Sequence, residues 1–480
     1  MMNSVCMSDT SPHQKPPLKV SYFHTYFGPR GPVPNQLRLG LDDLVRAFGD
    51  DTLAATSRLG KFQDNTLMQI EPRFHRTHLT ISQLEFAAPD SLWLYEFCTS
   101  QGFLHHSELW QDPFWGSAWN TVPRPLQERI RQGHMYLLIT SLPEDSDVRS
   151  MTAITQALKT AGAPMAYTYL CTSGMMRQQA KDEYKRLTGC EIRTVPFFEA
   201  LTLHEDRIGG RQARKSLRTG DSPPSKKFLM LNRRIDGCPH RVAIFLELLR
   251  RNLITDGHIS MTWQDLTDPS KTFRDRIREI RRFPETPQRE ELLQYGTKQF
   301  AEGPGPLPLK LDVEFKSNFH RHIETTDHYS KTIASYFDDS YFSIVPECHF
   351  ISGGPQDVEA PSMISEKTFF AMLNLHPFLI VGEPHTLARL KEYGYQTFSS
   401  WWDESYDEIE DPTLRIQAVA NLAQELAQKP HSEWVKLTRD MEPTLSHNRE
   451  HMRVRVDASI DRLALGASRQ RARRDSQTKA

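Results

Sequence analysis

No apolar run in this chain approaches the roughly 20 residues that cross a bilayer, so a membrane anchor is not expected in it. The opening residues, MMNSVCMSDTSPHQKPP, also lack the basic-then-apolar pattern of a secretion signal. Cysteine is sparse: Cys6, Cys98, Cys171, Cys190, Cys238 and Cys348 are scattered, with no CxxC pair. That argues against a disulfide framework, and reduced thiols in a cytoplasmic protein are the expectation. An excess of one charge sign is missing as well, since 59 Lys+Arg stand against 60 Asp+Glu. This balance argues against a protein that coats nucleic acid over its whole surface, while a local basic cleft stays open. Repeats of solenoid type are absent. What is present is enough apolar material for full-sized cores. Hydrophobic residues make up 38% of 480, and that length divides naturally into two domains.

Residues 1–17 are polar and Pro-containing, and read as disordered. Leu18–Phe23 (LKVSYF) is the first predicted strand. It runs into HTYFGPRGPVPN, a loop carrying His24, Tyr26 and Arg30. A loop after a first strand either lines a site or, punctuated by Gly and Pro, acts as a rigid connector. Residues 36–60 hold a helical pattern, and strand patterns follow in HLTISQLEF and SLWLYEFCTS. Trp110, Trp115 and Trp119 lie in an aromatic stretch with His105 and His106. These rings are read as packing rather than a sugar platform, and the two histidines have no third ligand at a metal spacing. A regular alternation comes next: strand 135–140, helix 147–161, strand 165–171, helix 175–187 and strand 190–198. Such alternation implies βαβ units and a parallel sheet. Residues 18–205 therefore form one expected Rossmann-like domain.

The composition breaks at 206–226 (RIGGRQARKSLRTGDSPPSKK), which reads as a basic linker. A second α/β domain, 227–430, opens with KFLMLNRR. Asn232, Arg233 and Arg234 follow its first strand, and Arg241 lies in the first turn of the next predicted helix, 240–252. Cations oppose the macrodipole at a helix start, so an Arg there makes sense if an anion completes the site. HISMTW (258–263) is the next expected strand, and TFRDRIREIRRF is an amphipathic piece. His320, His322 and His328 match no zinc spacing, so no metal is expected. The chemistry concentrates in Tyr341–Phe398. Two short apolar runs, Phe342–Val345 and Phe378–Val381, read as buried parallel strands. Between them Ser365, Glu366 and Lys367 stand where a loop turns into a helix. Open α/β sheets bind ligands at strand ends, and helix N-termini favour anions. Residues 431–468 read as helices long enough to cross back over the first domain, and 469–480 as a disordered basic tail.

FSIVPE…ISEKTFFAMLNLHPFLIVG…LKEYGYQTF resembles the donor-binding half of GT-B glycosyltransferases, and within them the fucosyltransferase-like group. There a strand ending in Glu is followed by a [VI][TS]EK element, a helix, a proline and an apolar strand. KFLMLNRR…HR resembles the same group's earlier strand-Asn…Arg element. Uncharacterised phage and bacterial glycosyltransferase-like proteins look similar too. The resemblance covers about residues 226–411. It implies two Rossmann-like domains facing a cleft, α/β throughout, with C-terminal helices. It implies a nucleotide-sugar as substrate, GDP-fucose-like or another, with no cofactor and no metal. Arg241 and Lys367 would hold the diphosphate, Glu366 would contact ribose or sugar, and Glu347 would sit beside the donor. Asn232, Arg233, Arg234, Ser365 and His376 complete the expected donor set. The chain departs from the pattern at Leu375-His376-Pro377-Phe378, where donor choice is expected to differ, and in carrying Arg233 where a Cys is usual. The first half shows no match, so the acceptor (glycan, protein or nucleic acid) stays open. An inverting reaction needs a base there, and Glu85, Glu96 and His24 are the candidates, lying in or after strands. Two other readings remain: a nucleic-acid-directed protein that glycosylates DNA bases or binds DNA through 206–226 and 468–478, and a non-catalytic binder of the same fold.

Overall fold

Six parallel strands build one sheet and four parallel strands a second. The computed structural model describes residues 18–27, 74–78, 92–99, 119–120, 122, 124–141, 148–172, 175, 178–194, 196, 198–200, 202–203, 222–232, 235, 237–264, 268, 270–309, 335–350 and 364–478. Arg30, Glu85, Arg233, Arg234, His105, His106, Trp110, Trp115, His320, His322 and His328 lie outside them, as do 1–17, the helical pattern in 36–60 and most of the linker.

The first sheet holds β1 (Leu18–Phe27), β2 (Phe74–His78), β3 (Leu92–Thr99), β4 (Tyr136–Ser141), β5 (Thr168–Thr172) and β6 (Arg193–Thr194) in the order β2-β1-β3-β4-β5-β6. β1 runs four residues beyond the expected Phe23, because Phe23–Phe27 continues the β-favouring aromatic and Thr pattern and pairs with β3. His24 and Tyr26 therefore sit within a strand, not in the loop after it. His24 and Glu96 are register partners on β1 and β3. β6 is far shorter than the expected 190–198. Pro196 cannot donate to a ladder, and its carbonyl instead accepts from Ala200 N at 2.9 Å in a helical turn. The helices α1 (Arg124–Arg131), α2 (Val148–Thr160) and α3 (Gln178–Thr188) belong to this sheet's alternation. Trp119 is 1% exposed, with Arg131 over its ring, so it packs in the core as expected.

The second sheet runs β10-β9-β7-β8, with β7 Phe228–Leu231, β8 Gly257–Ser260, β9 Phe342–Pro346 and β10 Phe378–Val381. Every residue of β9 and of the edge strand β10 is buried, as parallel strands covered on both faces require. Gly257 has no room for a side chain: a Cβ would stand 2.3 Å from the Phe228 ring. After β7 comes α4 (Pro239–Arg250), buried on every side from Pro239 to Leu248, His240, Arg241 and Glu247 included. It packs against α5 (Phe273–Ile277), α6 (Pro287–Gln299) and α9 (Pro412–Gln428). After β9 comes α7 (Glu366–Leu373), and after β10 comes α8 (Thr386–Glu392). The chain goes from β7 to β8 on one side and then returns to place β9 and β10 on the other. Right-handed crossovers then put α4 and α7 on opposite faces of the sheet. The switch in direction lies between β7 and β9.

Two helices close the chain, α10 (His431–Asp440) and α11 (Glu442–Thr478). Trp434 of α10 is fully buried. It stacks on Tyr341 and Phe342 at 5.1 and 5.5 Å and donates to Leu426 O at 3.1 Å. The expected disordered tail is instead the end of α11. It is held where Tyr136 of β4 donates to Gly466 O at 3.2 Å and where Gln470 is fully buried. Closer to its start, Arg455 Nε meets the buried Glu199 carboxylate at 3.1 Å, and Tyr395 donates to the same oxygen at 3.3 Å. The last helix thus touches residues of both sheets' halves of the sequence.

Candidate functional site

The first turn of α4 arises from the turn Gly237-Cys238-Pro239. Gly237 takes φ 65°, a left-handed value that suits glycine, and Pro239 occupies the first helical turn, where its missing N–H costs nothing. No side chain caps this helix start. Two residues on, Arg241 is 4% exposed and reaches across to the end of β9. Its Nη2 donates to Glu347 O at 3.3 Å and lies 3.8 Å from Cys348 Sγ. His240 beside it holds the same carbonyl, with Nε2 2.7 Å from Glu347 O. A carbonyl only accepts, so Nε2 carries the proton. Burial, with Arg241 adjacent, keeps the His240 pKa well below its usual value, and the ring is neutral.

On the other face Ser365 caps α7, its Oγ accepting from Lys367 N at 3.4 Å. Lys367 folds back: its Nζ is 3.2 Å from Ser365 Oγ, 3.0 Å from Glu366 Oε1 and 3.8 Å from Cys348 Sγ. Two cations from two helix starts therefore meet one sulfur at the switch point. Burial works against the Lys367 ammonium, but the Cys348 sulfur and the Glu366 carboxylate outweigh it and hold its pKa above the ordinary lysine range. Burial pushes the Cys348 pKa up against the opposing pull of Lys367 and Arg241, so the thiol stays protonated at neutral pH.

Asn232, at the end of β7, is 1% exposed. It donates from Nδ2 to Arg241 O at 2.9 Å, and its backbone N donates to Ser260 Oγ at 3.1 Å. Its Oδ1 is buried without a hydrogen-bond donor among the described residues. Asn232, Arg241, Ser365, Glu366 and Lys367 are thus brought together around Cys348.

Glu347, expected beside the donor, follows β9 close to Arg241 and Lys367. It is 1% exposed, and both carboxylate oxygens are taken, one by Ser365 N at 3.1 Å and one by Thr368 Oγ1 at 2.5 Å. Through these bonds it braces the start of α7. Burial raises its pKa, against Lys367 and the two donors. His376 is a correction to the sequence reading. It precedes β10 and bonds to Ser343 Oγ at 2.8 Å and Ser340 O at 3.0 Å, at the N-terminal ends of β9 and β10, while Cys348 follows the C-terminal end of β9. There it lines a small surface pocket with Tyr341, Pro377, His431 and Trp434. Of the proposed bases, His24 and Glu96 are placed only as register partners, and Glu85 lies outside the described residues, as do Arg233 and Arg234.

Two participants were not singled out from the sequence. Cys348 reads there only as one of six scattered thiols. Arg415 of α9 is 2% exposed and donates to Gly382 O at 3.1 Å and Phe350 O at 2.8 Å, with its guanidinium 4.3 Å over the Phe350 ring. Phe350 in turn stacks on His240 at 4.9 Å. Burial lowers the Arg415 pKa to about 10. The amphipathic pattern of α9 was legible, but one charged residue on its inner face looks the same in sequence as one on its surface. Among the described residues no cluster of three or more His, Cys, Asp or Glu could hold a metal ion, and no helix is long and apolar enough to cross a membrane.

No protein-family model matches the chain, and no curated protein sequence does. Among solved structures, the chain is similar to a UDP-forming α,α-trehalose-phosphate synthase from Burkholderia vietnamiensis, at 12% identity and a TM-score of 0.39, over 90% of this chain and 83% of that one. It is similar to an α,α-trehalose 6-phosphate synthase from Burkholderia multivorans at 12% identity and a TM-score of 0.37, over 97% and 99%. The N-terminal domain of Candida albicans trehalose-6-phosphate phosphatase gives 9% and 0.36, over 95% and 99%.

Proposed function

We propose that this chain is a glycosyltransferase that takes its sugar from a nucleotide-sugar and works without a metal. The observation that carries the reading is the meeting of Arg241 and Lys367 at the switch point between β7 and β9. A leaving nucleoside diphosphate carries charge that must be stabilised as the glycosidic bond breaks, and fixed cations in a dry site do this. Arg241 offers a planar fork for phosphate oxygens, and Lys367 a point charge. The start of α7 adds its dipole. Glu366 pairs with Lys367 at 3.0 Å, and on donor binding it turns to a sugar or ribose hydroxyl. Asn232 Oδ1, a buried acceptor lacking a donor, takes a further hydroxyl. GDP-sugars of the fucose type head the donor list on the strength of the SEK element, and the acceptor is presented by the first sheet's unit. His24 and Glu96, register partners on the neighbouring strands β1 and β3, are the candidates for its base.

The test is a thermal-shift series with GDP-, UDP- and dTDP-sugars. One of them raises the wild-type Tm, and the shift vanishes in Arg241→Ala and Lys367→Ala. A chain that responds to none of them is not a nucleotide-sugar enzyme.

A further inference from the structure

Arg415 lies behind the donor residues rather than among them, and all three of its nitrogens are bonded there. It is 2% exposed. Its Nε donates to Gly382 O at 3.1 Å, just past β10, and its Nη2 to Phe350 O at 2.8 Å, past β9. Its Nη1 donates to Ile409 O and, at 3.2 Å, to Glu410 O, both ahead of α9. One side chain thus ties the ends of two strands to the helix that packs on α4. A guanidinium carries five N–H donors in one fixed plane, and no other side chain could serve these four carbonyls together.

Among the described residues no carboxylate forms an ion pair with Arg415. Glu410, Glu383, Asp407 and Asp411 act on it from farther away, and burial lowers its pKa to about 10. A buried cation bonded to carbonyls alone is costly to keep, so its bonds must hold something that needs holding. They end on Phe350, whose ring the guanidinium also covers at 4.3 Å. That ring is buried, and it stacks on His240 at 4.9 Å with the planes 15° apart. His240 Nε2 and Arg241 Nη2 share Glu347 O, and Arg241 Nη2 stands 3.8 Å from Cys348 Sγ. A continuous run of contacts therefore leads from Arg415 to the guanidinium that meets Lys367 at this sulfur.

We propose that Arg415 is a positioning residue of the donor site, fixing the place of the Arg241 guanidinium through Phe350 and His240. With carbonyls on all three nitrogens it acts through Arg241 and not by touching a ligand. That this placement serves a nucleotide-sugar rests on the glycosyltransferase reading; the placement itself does not.

The test reads Cys348 in the full chain, by its rate of iodoacetamide labelling over a pH series with mass spectrometry of the peptide. Lys367 and Arg241 favour the thiolate against burial, while Glu366 and Glu347 oppose it. Moving Arg241 away raises the midpoint, and each pH unit of rise slows labelling about tenfold at a pH below it. Loosening of the fold does the reverse, since an exposed thiol titrates near its ordinary value of about 8.5 and labels faster. Phe350→Leu keeps Arg415 and loses the ring. Arg415→Lys keeps the charge and loses the fork, and if it does not fold, Phe350→Leu decides alone. Both are expected to slow labelling at pH 8 several-fold, as Arg241→Ala does. Unchanged or faster labelling in Phe350→Leu overturns the proposal, as does a rate that Arg241→Ala leaves unmoved. The same variants are run in thermal shift with GDP-, UDP- and dTDP-sugars, where Phe350→Leu is expected to lose most of the wild-type response. A wild type that responds to none of them overturns the donor reading alone, because labelling reports the placement of Arg241 without a donor.

Discussion

A carboxylate buried at a strand end keeps its place only if protein donors replace the water it loses. Glu347 has such donors in Ser365 N and Thr368 Oγ1, and through them it fixes the turn that aims Lys367. Glu347→Gln takes away an acceptor and leaves a buried donor facing an amide. It is expected to lower stability by about 1–3 kcal/mol in urea unfolding and to weaken donor binding only indirectly. Lys367→Ala acts the other way round. Its side chain is 19% exposed and its ammonium bonds to oxygen only within its own helix start, at Ser365 and Glu366, so stability changes less than in Glu347→Gln, while kcat/KM falls about 10²-fold if the leaving diphosphate rests on it. An equal loss of stability in the two variants would remove this division of labour. Cys348, between the cations, offers a chemical probe. Because burial holds it as a thiol, iodoacetamide is expected to label it slowly at pH 7 and faster at higher pH, and a bound nucleoside diphosphate to protect it. Labelling equally fast at neutral pH, read by mass spectrometry, would contradict the assigned thiol state.

At the scale of elements, the site depends on two helix starts built differently. α7 begins with a serine cap, and Ser365→Ala is expected to cost about 1 kcal/mol and to loosen Lys367, seen as a lower Tm together with a raised KM. α4 has no cap, only Pro239 and the turn at Gly237, so its first turn is held from outside by Glu347 O and by Phe350 stacked on His240. This difference explains what could be read in advance. The strands β7, β9 and β10 are continuous apolar runs, and Ser365-Glu366-Lys367 is a local signal; both were legible in sequence, as was the amphipathic α9. Which partner each residue meets was not. Glu347 in sequence looks like a ligand contact at a strand end, and only the fold shows its oxygens turned to α7. His376 lies close to Lys367 in sequence, but the intervening helix carries the chain back to the N-terminal ends of β9 and β10. Pro196 ended a strand that apolar pattern alone extended, and the charge-rich tail became helix because Gln470 and Gly466 found a surface to cover.

The whole molecule's response to pH follows from where its titrating groups are buried. His134, His240 and His451 lie in three places: beneath the end of α11, at the start of α4, and on α11 against the end of α8. Burial is the leading cause of a lowered pKa at all three. A group with a depressed folded pKa contributes stability that is present above its unfolded value, about 6.5 for histidine, and is lost as pH falls below it. Glu347 and Asp407 have the opposite sign. Burial raises both, so the strain of ionising them is present near neutrality and relieved as acid protonates them. Net acid sensitivity is therefore a difference, and it is isolated by removing one member. His240→Gln retains an N–H for Glu347 O but cannot titrate. Wild type is expected to lose more Tm between pH 7.5 and 5.5 than this variant does, because the unfolded chain takes up a proton on this ring that the folded state, with the ring buried beside Arg241, does not. Parallel curves for the two proteins would show that His240 is not the neutral, dry group that holds the end of β9 against the start of α4.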